Sequence, residues 1–312
     1  MSRAATGVIW ALAFVALESL QFVFFGGIFQ RVSSVLFGSI AFAIVVAGFV
    51  GWSAWRRRED LLNAIRQPGL LLLINVTATA SWLMLLLAVQ IIEPATAYTV
   101  GSGAMPIAAW AAYRLGFAES DAPRNRAEKL GIVLIGFSLI YLSAITVAGW
   151  SGFARGGPVA AMTGIALAFA EGVLFTFLLI FCRRLNRSGV GPSTVFGIRF
   201  VLYVIVAGML AGAGFDAKGT IGSGELSIFV ALGLLLIVPP LFALQQAVSL
   251  VSTLTISVLT ALGPFVIFVL QSVEGRVDHS WATLFGLTLF FAGANLSAIG
   301  AVRAQTRTPV SG

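Results

Sequence analysis

Charge is what this sequence has least of. Asp, Glu, Lys and Arg together make 10% of its 312 residues, where an ordinary globular domain carries about a quarter. A soluble fold needs a polar skin, and this composition cannot supply one. Cysteine and histidine are nearly absent, with Cys182 and His279 the single instances. One cysteine excludes an internal disulfide framework and any thiolate metal cluster, and one histidine excludes two-histidine zinc sites. No Gly-rich loop ending in Lys-Ser or Lys-Thr occurs, so ATP does not drive the chain directly. Apolar residues, by contrast, make 59% of the chain, and its mean hydropathy is +0.99. These figures describe an integral membrane protein.

A bilayer core about 30 Å thick needs roughly 20 apolar residues in a helix. Ten segments fit: Thr6–Gly26, Val32–Trp55, Gly69–Ile92, Pro94–Leu115, Glu128–Gly149, Val159–Cys182, Pro192–Phe215, Leu226–Val248, Val251–Leu270 and Trp281–Val302. None alternates polar and apolar residues as an outer-membrane strand does, so the expected fold is all-α. The first segment contains Glu18 and lacks a small-residue cleavage site, which reads as a span and not a removed signal. The remaining loops are brief, leaving no room for a soluble catalytic domain.

Basic residues predict the orientation. With the N-terminus inside, the cytoplasmic segments hold Arg3, Arg56, Arg57, Arg58, Arg66, Arg114, Arg124, Arg126, Lys129, Arg183, Arg184, Arg187, Arg303 and Arg307. The external segments hold only Arg31, Arg155, Lys218 and Arg276. Both termini are therefore expected in the cytoplasm. This clustering also removes nucleic acid as the meaning of the net charge of +7.

The two halves resemble each other. Gly7-Val-Ile-Trp-Ala-Leu-Ala-Phe opens the first span, and Gly164-Ile-Ala-Leu-Ala-Phe runs through the sixth. Pro106 and Pro264 both fall late in their spans, and Glu119 precedes Gly131 by the same twelve residues as Glu274 precedes Gly286. Five spans per half force the second copy upside down, and the charge bias of corresponding loops flips accordingly. Residues 1–150 are the first repeat and 151–312 the inverted second, with a short C-terminal tail. An inverted repeat of odd span number is a transporter signature, with its site near the midplane.

On these features the chain resembles the ten-helix EamA-type transporters of the drug/metabolite transporter superfamily. The stretches Ala88 to Pro106 and Gln246 to Pro264 and the repeated Glu…Gly spacing carry the likeness. Length, charge pattern and Trp/Gln-rich inner helices look most like the bacterial aromatic amino-acid exporters. The resemblance implies a cell inner-membrane exporter without a cofactor, working as a monomer or weak homodimer. The sequence departs from the pattern at Glu93-Pro94, which sits between the third and fourth spans, and at Pro239-Pro240, which is expected to interrupt the eighth.

Several residues are candidates for the site. Glu18 and Glu171 lie mid-span, where an ionised carboxylate costs at least about 2.5 kcal/mol. In the repeat alignment they are one helical turn apart, on similar faces. Each binds a substrate ammonium, exchanges protons, or ties neighbouring helices by a hydrogen bond. Arg199 is the one basic residue inside a span; it binds a substrate carboxylate, snorkels, or pairs with a Glu. Asn75, Thr79 and Trp82 form one stripe, and Tyr98, Ser102 and Met105 another, each either a cavity wall or an interhelical seam. Gln245 and Gln246 follow the double proline, where freed carbonyls can bind cations or substrate, and only one of the pair would face inward. Gly131, Gly136, Gly293, Ser297 and Ala301 offer close helix packing within the chain or between protomers. Glu119 and Glu274 read as helix caps.

The expected function is secondary transport of amino acids, aromatic or other neutral ones, or of similar small metabolites, by alternating access, with protons as a coupling partner if the acids titrate. The alternative keeps the fold and changes the ligand to cationic drugs or quaternary amines held by Glu and Trp. An intramembrane enzyme lacks its ingredients, with one Cys, one external His and no Asp in any span.

Overall fold

A computed structural model describes residues 3–117, 123, 125–219, 221–250 and 259–307. The described residues are helical: α1 (Arg3–Ile28), α2 (Ser34–Arg56), α3 (Arg58–Ile65), α4 (Pro68–Ile91), α5 (Pro94–Arg114), α6 (Arg126–Val147), α7 (Gly157–Arg187), α8 (Pro192–Ile198), α9 (Val201–Gly212), α10 (Ser223–Leu250), α11 (Gly263–Glu274) and α12 (Trp281–Arg307). Among the described residues, eight segments are long and apolar enough to cross a membrane. They comprise α1, α2, α4, α6, α7, α8 with α9, α10 as far as Pro240, and α12. Helix α5 falls short in hydropathy because its Thr, Ser, Gly and Pro residues lower the mean, and most of one side of it is buried.

Proline sets many of the helix starts. Pro68, Pro94, Pro192 and Pro264 each stand in the first turn of their helix, where a missing N–H removes nothing and the fixed φ suits the helix. Ser33 caps α2 through Leu36 N at 3.3 Å, and Asn125 caps α6 through Glu128 N at 3.0 Å, each satisfying an otherwise free donor.

Three expectations need correction. The seventh span is not continuous, because α8 ends at Ile198 and α9 begins at Val201. Conversely, Pro239-Pro240 does not interrupt α10, which runs through both prolines. The fixed φ of proline is itself helical, so α10 continues through the pair although each proline removes one helix hydrogen bond. Pro264 lies not late in a helix but at the start of α11, after a turn at Ala261–Leu262; Pro106 does lie inside α5.

Helices pair closely as α1 with α10, α4 with α7, α5 with α7, α1 with α11, α2 with α9 and α6 with α12. Small residues permit the closest approaches. A Cβ on Gly131 would strike Ser297 N and Gly293 O, so the α6–α12 seam lies within one chain. Gly136 meets open space and takes no part in it. Ser138 adds a hydrogen bond to Gly286 O across this seam at 2.8 Å. Glu274 is the last residue of α11, at a helix end, and pairs with Arg276 at 3.4 Å. Glu119 lies outside the described residues. Trp52, Trp55, Trp150 and Trp281 are exposed near helix ends, as interfacial indoles should be.

Between α4 and α5 stands Glu93, wholly buried. Its carboxylate accepts from Thr283 Oγ1 at 2.8 Å, Gly152 N at 3.2 Å, Thr96 Oγ1 at 3.4 Å and the Gln271 side-chain amide. This one group therefore ties the start of α5 to α11, α12 and the loop before α7. Burial pushes the Glu93 carboxyl up from its ordinary value, against the hydrogen bonds that pull it down. A raised folded value means the stabilisation is full below the ordinary carboxylate range and is lost as pH rises through the raised value. The melting-temperature difference between wild type and Glu93→Gln should therefore shift against wild type as pH rises above the ordinary carboxylate range. A difference that stays flat over that rise contradicts the assignment.

Candidate functional site

A cavity of about 170 Å³ lies among α1, α4, α5, α7, α10 and the α8–α9 break. Glu18 and Glu171 both line it, brought from α1 and α7. Tyr98 donates to Glu18 Oε2 at 3.0 Å, and Ser81 Oγ lies 3.5 Å from Glu171 Oε1. Glycine creates the space for the second acid, since a Cβ on Gly101 would fall on Glu171 Oε2. No Lys or Arg pairs with either carboxylate among the described residues. Both therefore remain available to a ligand cation or to protons.

The opposite character comes from Arg199, also in the lining. Its guanidinium lies against the rings of Phe196 and Phe200, at 4.5 and 4.6 Å from their centroids. It neither pairs with a carboxylate among the described residues nor reaches out of the bundle. The rest of the wall is aromatic and aliphatic, with Phe14, Phe22, Phe25, Trp82 and Phe175 foremost. Phe22 meets Tyr98 edge to face at 4.9 Å.

The structure thus brings Glu18, Trp82, Tyr98, Ser102, Glu171 and Arg199 to one cavity. Ser102 contributes little free polarity, because its hydroxyl donates to Tyr98 O at 2.7 Å. Asn75 and Thr79 are elsewhere, and the cavity face of α4 is instead Ser81, Trp82, Leu85 and Val89. Asn75 Oδ1 accepts from Leu202 N at 3.0 Å, satisfying a donor that the α8–α9 break sets free, while its amide donates to Leu71 O. Asn75→Leu, with the same number of side-chain heavy atoms, should leave that N–H unpaired and destabilise the protein by about 1–3 kcal/mol. Ligand binding per folded molecule should be unchanged; thermal unfolding alongside a binding isotherm checks both. The side chains of Gln245 and Gln246 lie outside the described residues. Sequence reasoning missed Gln21, Ser81 and the phenylalanine wall. Gln21 had a signal, an amide one turn from Glu18 within an apolar run.

No known family profile matches this chain, and no curated protein does. Among solved structures, one described only as "Crystal structure of protein" is similar over 96% of this chain and 99% of that one, with a TM-score of 0.62 and 18% identity. The likeness is one of fold, and the chain shares a helical architecture already seen in a solved protein.

Proposed function

We propose that this protein is a secondary transporter of amino acids, aromatic or other neutral ones, or of closely similar small metabolites, and that the Glu18–Glu171 cavity is its transport site. The observation that carries the reading is the cavity itself, which joins two unpaired acids from corresponding helices with an aromatic wall. A cationic ligand group answers the acids and an apolar body answers the rings. Its volume of about 170 Å³ is below the roughly 300–1,000 Å³ of drug-sized sites, which favours a small metabolite over a bulky drug.

The architecture proposed with it is ten spans in two inverted five-span repeats, with both termini cytoplasmic in a bacterial inner membrane. Exchange of the halves is supported by the helix pairing. The α1–α10 pair answers α7–α4, the α5–α7 pair answers α11–α1, and α2–α9 and α6–α12 answer themselves. Export, carried by alternating access, is the direction the family resemblance favours. Reconstituted vesicles loaded with labelled Trp, Phe, Thr or Met, with and without a pH gradient, test the proposal. Saturable flux of at least one supports it, and gradient dependence assigns proton coupling to the acids. No flux from folded protein refutes it.

A further inference from the structure

The region around the α8–α9 break holds donors with nothing to donate to. Six buried side-chain polar atoms lack a hydrogen-bond partner among the described residues, and Thr79 Oγ1, Trp82 Nε1, Arg199 Nε and Tyr203 Oη are four of them. These four belong to one neighbourhood. The Phe42 ring contacts Trp82 at 4.8 Å, Phe200 at 4.4 Å and Tyr203 at 4.8 Å, Arg199 lies on Phe200, and Thr79 is one turn before Trp82 on α4. Indole and guanidinium nitrogens can only donate. The neighbour of Arg199 is the Cys182 thiol, a weak acceptor.

Arg199 as a whole is half-buried, but its Nε is buried without a partner, and buried donors are almost always satisfied. A structural arginine would carry a carboxylate beside it. This one is instead preset by two phenylalanine rings, which fix a planar fork without quenching its charge. Arg199 and Trp82 both line the cavity, so a ligand there can supply the missing acceptor.

We propose that Arg199 and Trp82, at the α8–α9 break, form an anion subsite of the cavity, binding a carboxylate oxygen pair of the ligand or a free inorganic anion. This rests on the cavity being the ligand site. The subsite sets a second requirement beside the two acids: a ligand with a negative end held by donors and a positive end held by Glu18 and Glu171. Such a site discriminates against amines lacking the carboxylate, since their binding leaves the donors unmet.

The test compares 3-phenylpropanoate, phenethylamine and sodium chloride as probes of the full-length protein in lipid nanodiscs, read as ligand-dependent thermal stabilisation. Expected is stabilisation by 3-phenylpropanoate that is about tenfold or more weaker in Arg199→Gln, intermediate in Arg199→Lys and reduced in Trp82→Phe. Each of the three substitutions should weaken 3-phenylpropanoate by a clearly larger factor than phenethylamine. Stabilisation by chloride that needs Arg199, and that 3-phenylpropanoate does not surpass, supports the subsite and assigns a free anion to it. Should Arg199→Gln fail to fold, Arg199→Lys and Trp82→Phe decide in the same way. Variants that bind 3-phenylpropanoate like wild type while phenethylamine still binds overturn the subsite and leave the cavity reading intact. Absence of binding by either organic probe to folded wild type overturns both.

Discussion

Glu18→Gln should weaken binding of an amine-bearing ligand such as phenylalanine by about tenfold or more. The substitution keeps side-chain shape, and Tyr98, which donates to Glu18 at 3.0 Å, can donate equally to the amide oxygen. What is lost is the charge. A hydrogen bond to a charged group contributes about 1.5–3 kcal/mol, and each 1.4 kcal/mol is about tenfold in affinity. Phenethylamine should suffer like phenylalanine, whereas 3-phenylpropanoate, with no ammonium, should bind no worse. Isotherms for the three ligands check the prediction, and equal phenylalanine affinity in variant and wild type would place the cation elsewhere.

Gly172→Val should be among the most damaging single changes to the fold. Helices α5 and α7 approach so closely that a Cβ at 172 would run into the Gly101 carbonyl and meet Ala104 Cβ at 3.0 Å. The obstacle is backbone, which cannot rotate away, so the helices must separate. Overpacking of this kind costs about 1–3 kcal/mol or more. Separation would also move Glu171, the preceding residue, so binding should fall with stability. Gly136→Val is the matched control, because Gly136 faces open space; it should shift the melting temperature little. Equal melting temperatures for the two variants would show that the close approach is not needed.

These residues also show where sequence speaks and where it does not. Glu18 and Glu171 stood out because a carboxylate in an apolar run is costly, and cost implies purpose. The apolar runs themselves announced the helices, since uniform hydropathy over twenty-odd residues leaves few other structures. Asn75 and Trp82 share a stripe, yet one satisfies the backbone of α9 and the other faces the cavity. A polar stripe demands partners without saying whether they are protein or ligand. Phe14, Phe25 and Phe175 gave no signal at all, because an aromatic among leucines has no contrast. The break at Arg199–Phe200 has neither Gly nor Pro to mark it, while Pro239-Pro240, which looked like a break, is accommodated in α10. In both places tertiary packing outweighs local preference.

Alternating access, as proposed above, requires one cavity to be presented in turn to the two sides of the membrane. Ser102→Cys, in a Cys182→Ser background, places a lone thiol in the cavity wall. A membrane-impermeant thiol reagent can then be applied to either face of oriented vesicles. Labelling from both faces is expected, with ligand slowing the reaction from each. Labelling confined to one face under all conditions, or rates indifferent to saturating ligand, would contradict it.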